Sequence, residues 1–230
     1  MPVEGRLEET RFGRPADPRR VVVASTRGSR LLALRLSLAL LCGLAFEGRS
    51  WAASAGPQPG MTGAPGTGTE AAEGTCVSCH TSFAINPDDK GTLTIEGVPD
   101  TYAPGQTYSL TFRLAHPDPA VLRWGFQMTA IALKDGSGAG EFVATDPATT
   151  QVLSAMSGTR TYIEHSYGGT AIGQPGGNAW TFDWKAPAAD VGSVGFFAAA
   201  NASNVDGSNQ GDRVYSKSPA PLAETRGPAR

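Results

Sequence analysis

The stretch that decides the fold class is Trp124-Gly125-Phe126-Gln127-Met128-Thr129-Ala130-Ile131-Ala132-Leu133. Its larger apolar side chains recur at every second position, at Trp124, Phe126 and Met128. Successive side chains of an extended strand point to opposite faces, so this alternation predicts a strand over 124–133 with one apolar face. We therefore expect Met128 to pack in the interior.

Five further runs alternate in the same way, and they cover 93–95, 108–114, 160–165, 180–184 and 194–200. Turn signals such as Ala103-Pro104-Gly105, Asp135-Gly136 and Gln174-Pro175-Gly176-Gly177 separate them. The 29 glycines and 17 prolines are also typical of many short strands joined by turns. The sequence therefore predicts one all-β domain, an immunoglobulin-like β-sandwich over 93–215.

The regions outside the predicted sandwich carry other signals. Residues 31–46 are apolar apart from Arg35 and precede small residues at Ala52 and Ala55, which is typical of a secretory signal peptide within 1–52. A spanning helix is the alternative, but the run falls short of the roughly 20 apolar residues that a bilayer requires. We therefore expect export to the periplasm or the cell surface.

The two segments that flank the predicted domain have few apolar side chains to bury. Residues 53–74, rich in glycine and proline, predict a flexible tether or an extended strap, and 216–230 predict a flexible tail. The tail lacks an apolar anchor, so we expect no transmembrane anchor in the mature chain. The net charge of -2 offers no basic surface for nucleic acid.

The motif Cys76-Val77-Ser78-Cys79-His80 predicts a site that binds a cofactor. It is the attachment pattern of a c-type haem, in which two thiols join the haem vinyl groups and the adjacent imidazole ligates the iron. Removal of the signal peptide removes Cys42, so the mature chain holds this pair and no long-range disulfide framework. We predict one covalent haem c in a segment over 75–92, bound by Cys76 and Cys79 and ligated by His80.

Two other interpretations of the cysteine pair stay open. A structural zinc site requires about four ligands, whereas only His116 and His165 and no second cysteine pair remain in the mature chain. A thioredoxin-like redox pair is expected at a helix N-terminus, whereas glycine and proline residues precede this pair. Both interpretations are less favoured than haem.

Several segments resemble bacterial reeler-like domains that bear a single haem motif. They are Gly63-Ala64-Pro65-Gly66, Gly97-Val98-Pro99-Asp100, Tyr102-Ala103-Pro104-Gly105-Gln106, Arg123-Trp124-Gly125-Phe126-Gln127, Tyr162-Ile163-Glu164-His165, Trp180 to Ala186-Pro187 and Ala200-Asn201-Ala202. The resemblance covers roughly 56–215 and implies a sandwich of the reelin N-terminal type, exported and often attached to the cell surface by varied anchors. This chain departs from the pattern because it has no recognisable anchor.

We predict His165 as the distal iron ligand. It ends a predicted strand in phase with Ile163, precedes Gly168-Gly169, and belongs to a segment that resembles the family. The alternatives are His116 in a Pro-bounded loop that water can reach, Met128, Met156 in a polar stretch, and an open or water-bound position.

Two sets of residues have ambiguous roles. The aromatic residues are predicted to line either the core or a haem wall, and they are Trp124, Tyr162, Tyr167, Trp180 and Trp184. Residues 201–212 carry oxygen ligands that could hold calcium, although such a loop is more often a solvated turn. These ligands are Asn204, Asp206, Asn209 and Asp212.

The sequence thus predicts an exported mono-haem cytochrome that transfers electrons to or from redox proteins such as other cytochromes, without catalytic residues of its own. Two alternatives belong to other classes. One is a haem-based sensor of a small ligand, and the other is a cell-surface interaction module in which haem is structural.

Overall fold

The protein is an all-β sandwich, as predicted from the alternation. The structure is a computed structural model that describes residues 53–217, 219 and, as backbone alone, 221–224. The strands are β1 (Thr92–Glu96), β2 (Thr101–Tyr102), β3 (Thr107–His116), β4 (Arg123–Ala132), β5 (Glu141–Val143), β6 (Thr150–Ser154), β7 (Thr161–His165), β8 (Gly176–Lys185), β9 (Val194–Ser203), β10 (Arg213–Lys217) and β11 (Pro221–Glu224). Two short 3₁₀ turns, Cys76–Ser78 and Tyr167–Thr170, complete the described elements.

The strands form two sheets. The first has the order β1-β3-β8-β5, and the second has the order β2-β11-β9-β4-β7-β6 with β10 also paired to β9. All pairs are antiparallel except β2 with β11. The predicted signal segment lies outside the described residues. Among those described, no helix is long and apolar enough to cross a membrane.

Aromatic side chains from both sheets fill the core. Phe126 of β4 stacks on Phe112 of β3 at a centroid distance of 4.5 Å and lies 4.6 Å from Trp180 of β8. Met128 is fully buried in the same cluster, which confirms its predicted interior position. Burial of such side chains supplies the main stabilisation of the sandwich.

Four of the six predicted runs lie within a strand and two overrun one by a single residue, at Leu133 after β4 and at Arg160 before β7, but five strands were not predicted. β2 and β5 have two and three residues, too few for a period to be visible. β6 presents a mostly exposed surface, so its sequence lacks an apolar alternation. Strand pairing also continues past Tyr215 through β10 and β11, where the sequence predicted the start of a flexible tail.

The glycine- and proline-rich segment 53–74, called the strap below, lies against the outer side of the second sheet, where residues 62–75 fold back on themselves as a hairpin-like loop instead of staying flexible or extended. Ala64 is 1% exposed and packs with Ile131 and Phe197. Farther along the chain, the buried Arg160 donates to Glu73 Oε1 at 2.8 Å and to the Pro65 carbonyl at 2.7 Å. Polar contacts therefore dock a segment whose composition offers little apolar surface.

Candidate functional site

The Cys76-Val77-Ser78-Cys79-His80 motif is held by the loop between β9 and β10. Its 3₁₀ turn is closed by the Cys79 N–H, which donates to the Cys76 carbonyl at 3.2 Å, and the His80 N–H donates to the same carbonyl at 2.9 Å. From the loop, the Asn209 side chain donates to the Cys79 carbonyl at 2.6 Å, and the Gly211 N–H donates to Ser82 Oγ at 2.7 Å. Residues distant in sequence thus hold the C-terminal end of the motif.

A buried carboxylate orients the imidazole of His80. Nδ1 of His80 lies 2.7 Å from Oδ2 of Asp212, which is 1% exposed. Because a carboxylate only accepts hydrogen bonds, Nδ1 is the donor, and in the neutral imidazole Nε2 then keeps its lone pair. A histidine that ligates a metal usually donates its other ring N–H to such a group, which fixes the tautomer and raises the basicity of the ligand.

Asp212 is itself held by two donors. The Asn201 side chain donates to Oδ2 at 3.2 Å, and the Asn204 N–H donates to Oδ1 at 3.0 Å. The sequence suggested Asp212 as a possible calcium ligand. Both of its carboxylate oxygens, however, accept hydrogen bonds from within the protein. Asp206 accepts from the N–H and the hydroxyl of Ser208, as in an ordinary Asx turn. In the part of the chain that the structure describes, no cluster of three or more His, Cys, Asp or Glu side chains could hold a metal ion.

The two cysteines are free thiols with different environments. Cys76 as a whole is only half-buried, but desolvation raises the pKa of its thiol to about 12, and the nearby charges of Cys79 and Glu164 act in the same direction. Reactive redox cysteines have a lowered pKa and sit in electropositive surroundings. The surroundings of Cys76 therefore disfavour the redox-pair interpretation.

His165 lies at the end of β7 beside the backbone of β4. Its Nδ1 is 3.0 Å from the amide nitrogen and 3.1 Å from the carbonyl oxygen of Phe126, so this backbone can serve either tautomer. Burial lowers the pKa of His165, which favours the neutral imidazole that ligates metals, and the backbone of Ala53 also interacts with the ring.

The expected orientation of His165 is wrong. We expected it to face the same side as Ile163, which lies in the core. Instead the ring lies against Gly125, where an added Cβ would be 2.7 Å from Cε1 of His165. Gly125 faces outward, because its neighbours Trp124 and Phe126 point into the core.

The strand register relates the two predicted iron ligands. Asn201 of β9, whose amide is 3.3 Å from Nδ1 of His80, pairs with Gly125 of β4. Gly125 in turn lies against His165. His80 and His165 therefore lie on the outer side of the second sheet, on opposite sides of a residue that has no side chain.

The other candidate ligands lie elsewhere. His116, which we expected in a water-accessible loop, is the last residue of β3 and is 2% exposed, with Nδ1 accepting from the Asp118 N–H at 3.1 Å. Tyr215 and Asp88 close over it from outside. Met128 is in the core, and Met156 is 98% exposed.

The five candidate aromatic residues divide between environments. Trp124, Trp180 and Trp184 belong to the core cluster. Tyr162 is buried and its hydroxyl donates to Glu73 of the strap at 2.9 Å. Tyr167 is 66% exposed, so it is neither core nor enclosed wall.

Sequence reasoning missed three residues of this site, namely Asn201, Asp212 as a histidine partner and Gly125. The sequence carries only weak signals for these residues. Asn201 and Gly125 fall in segments that resemble the family, and Gly125 is the smallest residue on the outward side of β4.

Two surface cavities are present at other places. One is lined by Leu133, Asp190 and Gly192, and the other lies beneath the strap beside Met61 and Arg160. Neither is lined by the cysteines or by His80.

The chain is similar to reeler domains of known structure. The human F-spondin reeler domain (fragment 1) is 26% identical, with 59% of this chain and 89% of that chain covered and a TM-score of 0.38. The Reelin-N domain of F-spondin is 24% identical over 64% of this chain and 96% of that chain, with a TM-score of 0.38. AvmM, which catalyses macrocyclization in alchivemycin A biosynthesis, is 15% identical over 62% of this chain and 93% of that chain, with a TM-score of 0.38.

No protein-family model matches the chain, and no curated protein matches it. The similarities concern the sandwich, and a shared fold does not fix function.

Proposed function

We propose that the chain is an exported mono-haem c-type cytochrome that transfers electrons. Cys76 and Cys79 would bind the haem, His80 would be the proximal ligand and His165 the distal ligand. The observation that carries the proposal is the 2.7 Å contact between Nδ1 of His80 and the buried Asp212, directly after two cysteines in attachment spacing.

Each of these residues has a role that follows from its contacts. Asp212 holds His80 in the tautomer whose Nε2 can ligate iron, and Asn201 and Asn204 hold Asp212. Haem, when bound, supplies a one-electron iron couple. The chain itself fixes the ligands, shields them from water and provides the surface for redox proteins such as other cytochromes.

His165 suits the distal position for two reasons. Its Nδ1 can donate to the Phe126 carbonyl, which leaves Nε2 with its lone pair, and the absence of a side chain at Gly125 makes room for the ring itself. For His165 to ligate iron, its ring must give up its contact with the backbone of Ala53. Ala53 belongs to the strap, so this change does not disturb the core.

The first test concerns covalent haem. Protein produced in a host that matures c-type cytochromes should give a haem-stained band after denaturing electrophoresis, because thioether bonds survive denaturation. Cys76→Ala combined with Cys79→Ala should abolish the band, whereas Cys42→Ala, in the predicted signal segment, should leave it. Haem that is extracted by acidified organic solvent would contradict the proposal.

The second test concerns the distal ligand. His165→Ala should convert the ferric spectrum from low to high spin and allow cyanide or imidazole to bind. His116→Ala is the matched control, because this buried histidine lies at the end of β3 with its own partners. A spectrum that stays low spin in His165→Ala, or a wild-type near-infrared band of methionine ligation, would overturn the assignment.

A second candidate function, binding of a small ligand at an open sixth position, is favoured by one observation. The ring of His165 already has protein partners at Phe126 and Ala53, so it can remain where it is. In that case the wild-type protein should be high spin and bind external ligands, and His165→Ala should change neither property.

A further inference from the structure

Two side-chain donors share one oxygen of Asp212. Nδ1 of His80 lies 2.7 Å from Oδ2 of Asp212, and Nδ2 of Asn201 lies 3.2 Å from the same oxygen. The two nitrogens are 3.3 Å apart. Because Nδ1 of His80 already donates its proton to Asp212, the contact between the nitrogens is not a hydrogen bond but the result of two donors meeting at one acceptor. His80 and Asn201 therefore compete for the same carboxylate oxygen.

The amide of Asn201 has one orientation that suits this place. With the amide reversed, Oδ1 would lie against Oδ2 of Asp212, and two acceptors repel each other. In the observed orientation Oδ1 is buried without a hydrogen-bond partner in the protein, a condition that only Thr67 Oγ1 and Arg123 Nε share among the described residues. An unpaired buried acceptor is costly. The donation from Asn201 to Asp212 is therefore kept at the cost of an unpaired carbonyl.

The charge of Asp212 is stabilised by a small number of donors. Its side chain is 1% exposed, and among the described residues no lysine or arginine forms an ion pair with it. On its other oxygen, Oδ1, the Asn204 N–H donates at 3.0 Å. A hydrogen bond to an ionised group is strong, and burial strengthens it further. Loss of the Asn201 donor should therefore direct more of the negative charge of Oδ2 to His80.

We propose that Asn201 is a positioning residue that weakens the hydrogen bond from His80 to Asp212 and thereby raises the reduction potential of the iron. The effect on the iron rests on the proposed function, because it requires haem ligated by His80. A stronger hydrogen bond from Nδ1 makes the imidazole a more basic ligand, and a more basic ligand stabilises ferric iron. Hydrogen bonding around the axial ligand is one of the means by which a protein sets the potential. Asn201 limits this effect because it takes a share of Oδ2.

The first test measures the hydrogen bond itself in the full chain produced without haem. Heteronuclear NMR through the carbon-bound ring protons reports the resonances of both ring nitrogens of His80. In the neutral ring, Asn201→Leu should move the resonance of the protonated Nδ1 downfield, because the bond to Asp212 becomes stronger. Asn178→Leu is the matched control and should leave the resonance unchanged, since the Asn178 amide donates to the Gly169 carbonyl from the first sheet.

The second test measures the reduction potential of the haem-loaded protein. Asn201→Leu should favour the oxidised iron by about tenfold, which lowers the potential by about 59 mV for one electron. Asp212→Asn removes the charge of the acceptor and should raise the potential. In the Asp212→Asn background, Asn201→Leu should have less than about a third of its effect on the wild-type chain, because the charge through which it acts is gone. Asn178→Leu should keep the wild-type potential.

The outcomes separate the two proposals. If the wild-type protein shows no covalent haem, the proposed function fails, and the first test alone decides whether Asn201 weakens the bond between His80 and Asp212. If haem is attached but Asn201→Leu keeps either the wild-type nitrogen resonance or the wild-type potential, the inference fails and the proposed function stands. Equal effects of Asn201→Leu with and without the charge of Asp212 would also overturn the inference. Should Asn201→Leu not fold, Asn201→Ala takes its place in both tests, with the same deciding outcomes.

Discussion

The two faces of β4 carry different kinds of side chain. The inner face presents Trp124, Phe126 and Met128 to the aromatic core, where each is at most 1% exposed. The outer face presents Arg123, Gly125 and other small or polar residues to the strap, to the end of β7 and to Asn201 of β9. One strand thus serves both the stability of the sandwich and its candidate site.

The two faces also make different kinds of contact. Contacts on the inner face are apolar and non-directional, so they depend on volume and shape. Apart from the apolar packing of Ile131 against Ala64, contacts on the outer face are single hydrogen bonds and one close approach, so each depends on a specific partner. Changes on the outer face should therefore alter the site while the core remains folded.

The largest effect is expected on the inner face. Phe126→Ala removes a ring that is stacked between Phe112 and Trp180, and it should lower the free energy of unfolding by about 4 kcal/mol. Urea denaturation followed by tryptophan fluorescence measures the change. Val143→Ala, at a position that is 47% exposed, is the control and should cost less than about 0.5 kcal/mol. A loss below about 1 kcal/mol in Phe126→Ala would show that the core can close over the missing ring.

A smaller and more local effect is expected where the strap docks. Arg160→Met leaves the carboxylates of Glu70 and Glu73 without their buried cation, which should cost about 3 kcal/mol. Limited proteolysis should then cleave within 53–74 before the sandwich is attacked. Arg113→Met removes an exposed ion pair instead and should leave the cleavage pattern unchanged. Equal resistance of the strap in both variants would contradict its docking by Arg160.

The smallest effect is expected at the glycine between the two histidines. Gly125→Ala forces the ring of His165 to move, because the new Cβ would lie 2.7 Å from Cε1, and it should cost about 2 kcal/mol. The loss should largely disappear when Gly125→Ala is made in a His165→Ala background. Thermal or urea unfolding of the four proteins gives the coupling energy, which should be at least about 1 kcal/mol. Additive costs would mean that the two residues do not interfere.

Some of these features can be read from local patterns. The six alternating runs identified strands because side-chain direction in a strand depends on the backbone of that segment alone. The spacing of Cys76, Cys79 and His80 predicts haem for a similar reason, since all three groups lie within five consecutive residues.

Other features depended on partners far away in the chain. Short strands such as β5 exist because β8 offers a free edge, and His116 is buried because Asp88 and Tyr215 close over it. The polar docking of the strap was likewise invisible in its composition, because the partners of Glu70 and Glu73 come from β7 and the turn before it.

The sequence by itself determined the all-β class, most of the longer strands and the chemically distinctive motif, because each is encoded in neighbouring residues. Only the tertiary structure decided what surrounds that motif. His80 and Asp212 are 132 residues apart, and Gly125 meets His165 only through the pairing of β4 with β7. Such contacts depend on topology and register, which hydrophobic periodicity constrains but does not specify for individual side chains.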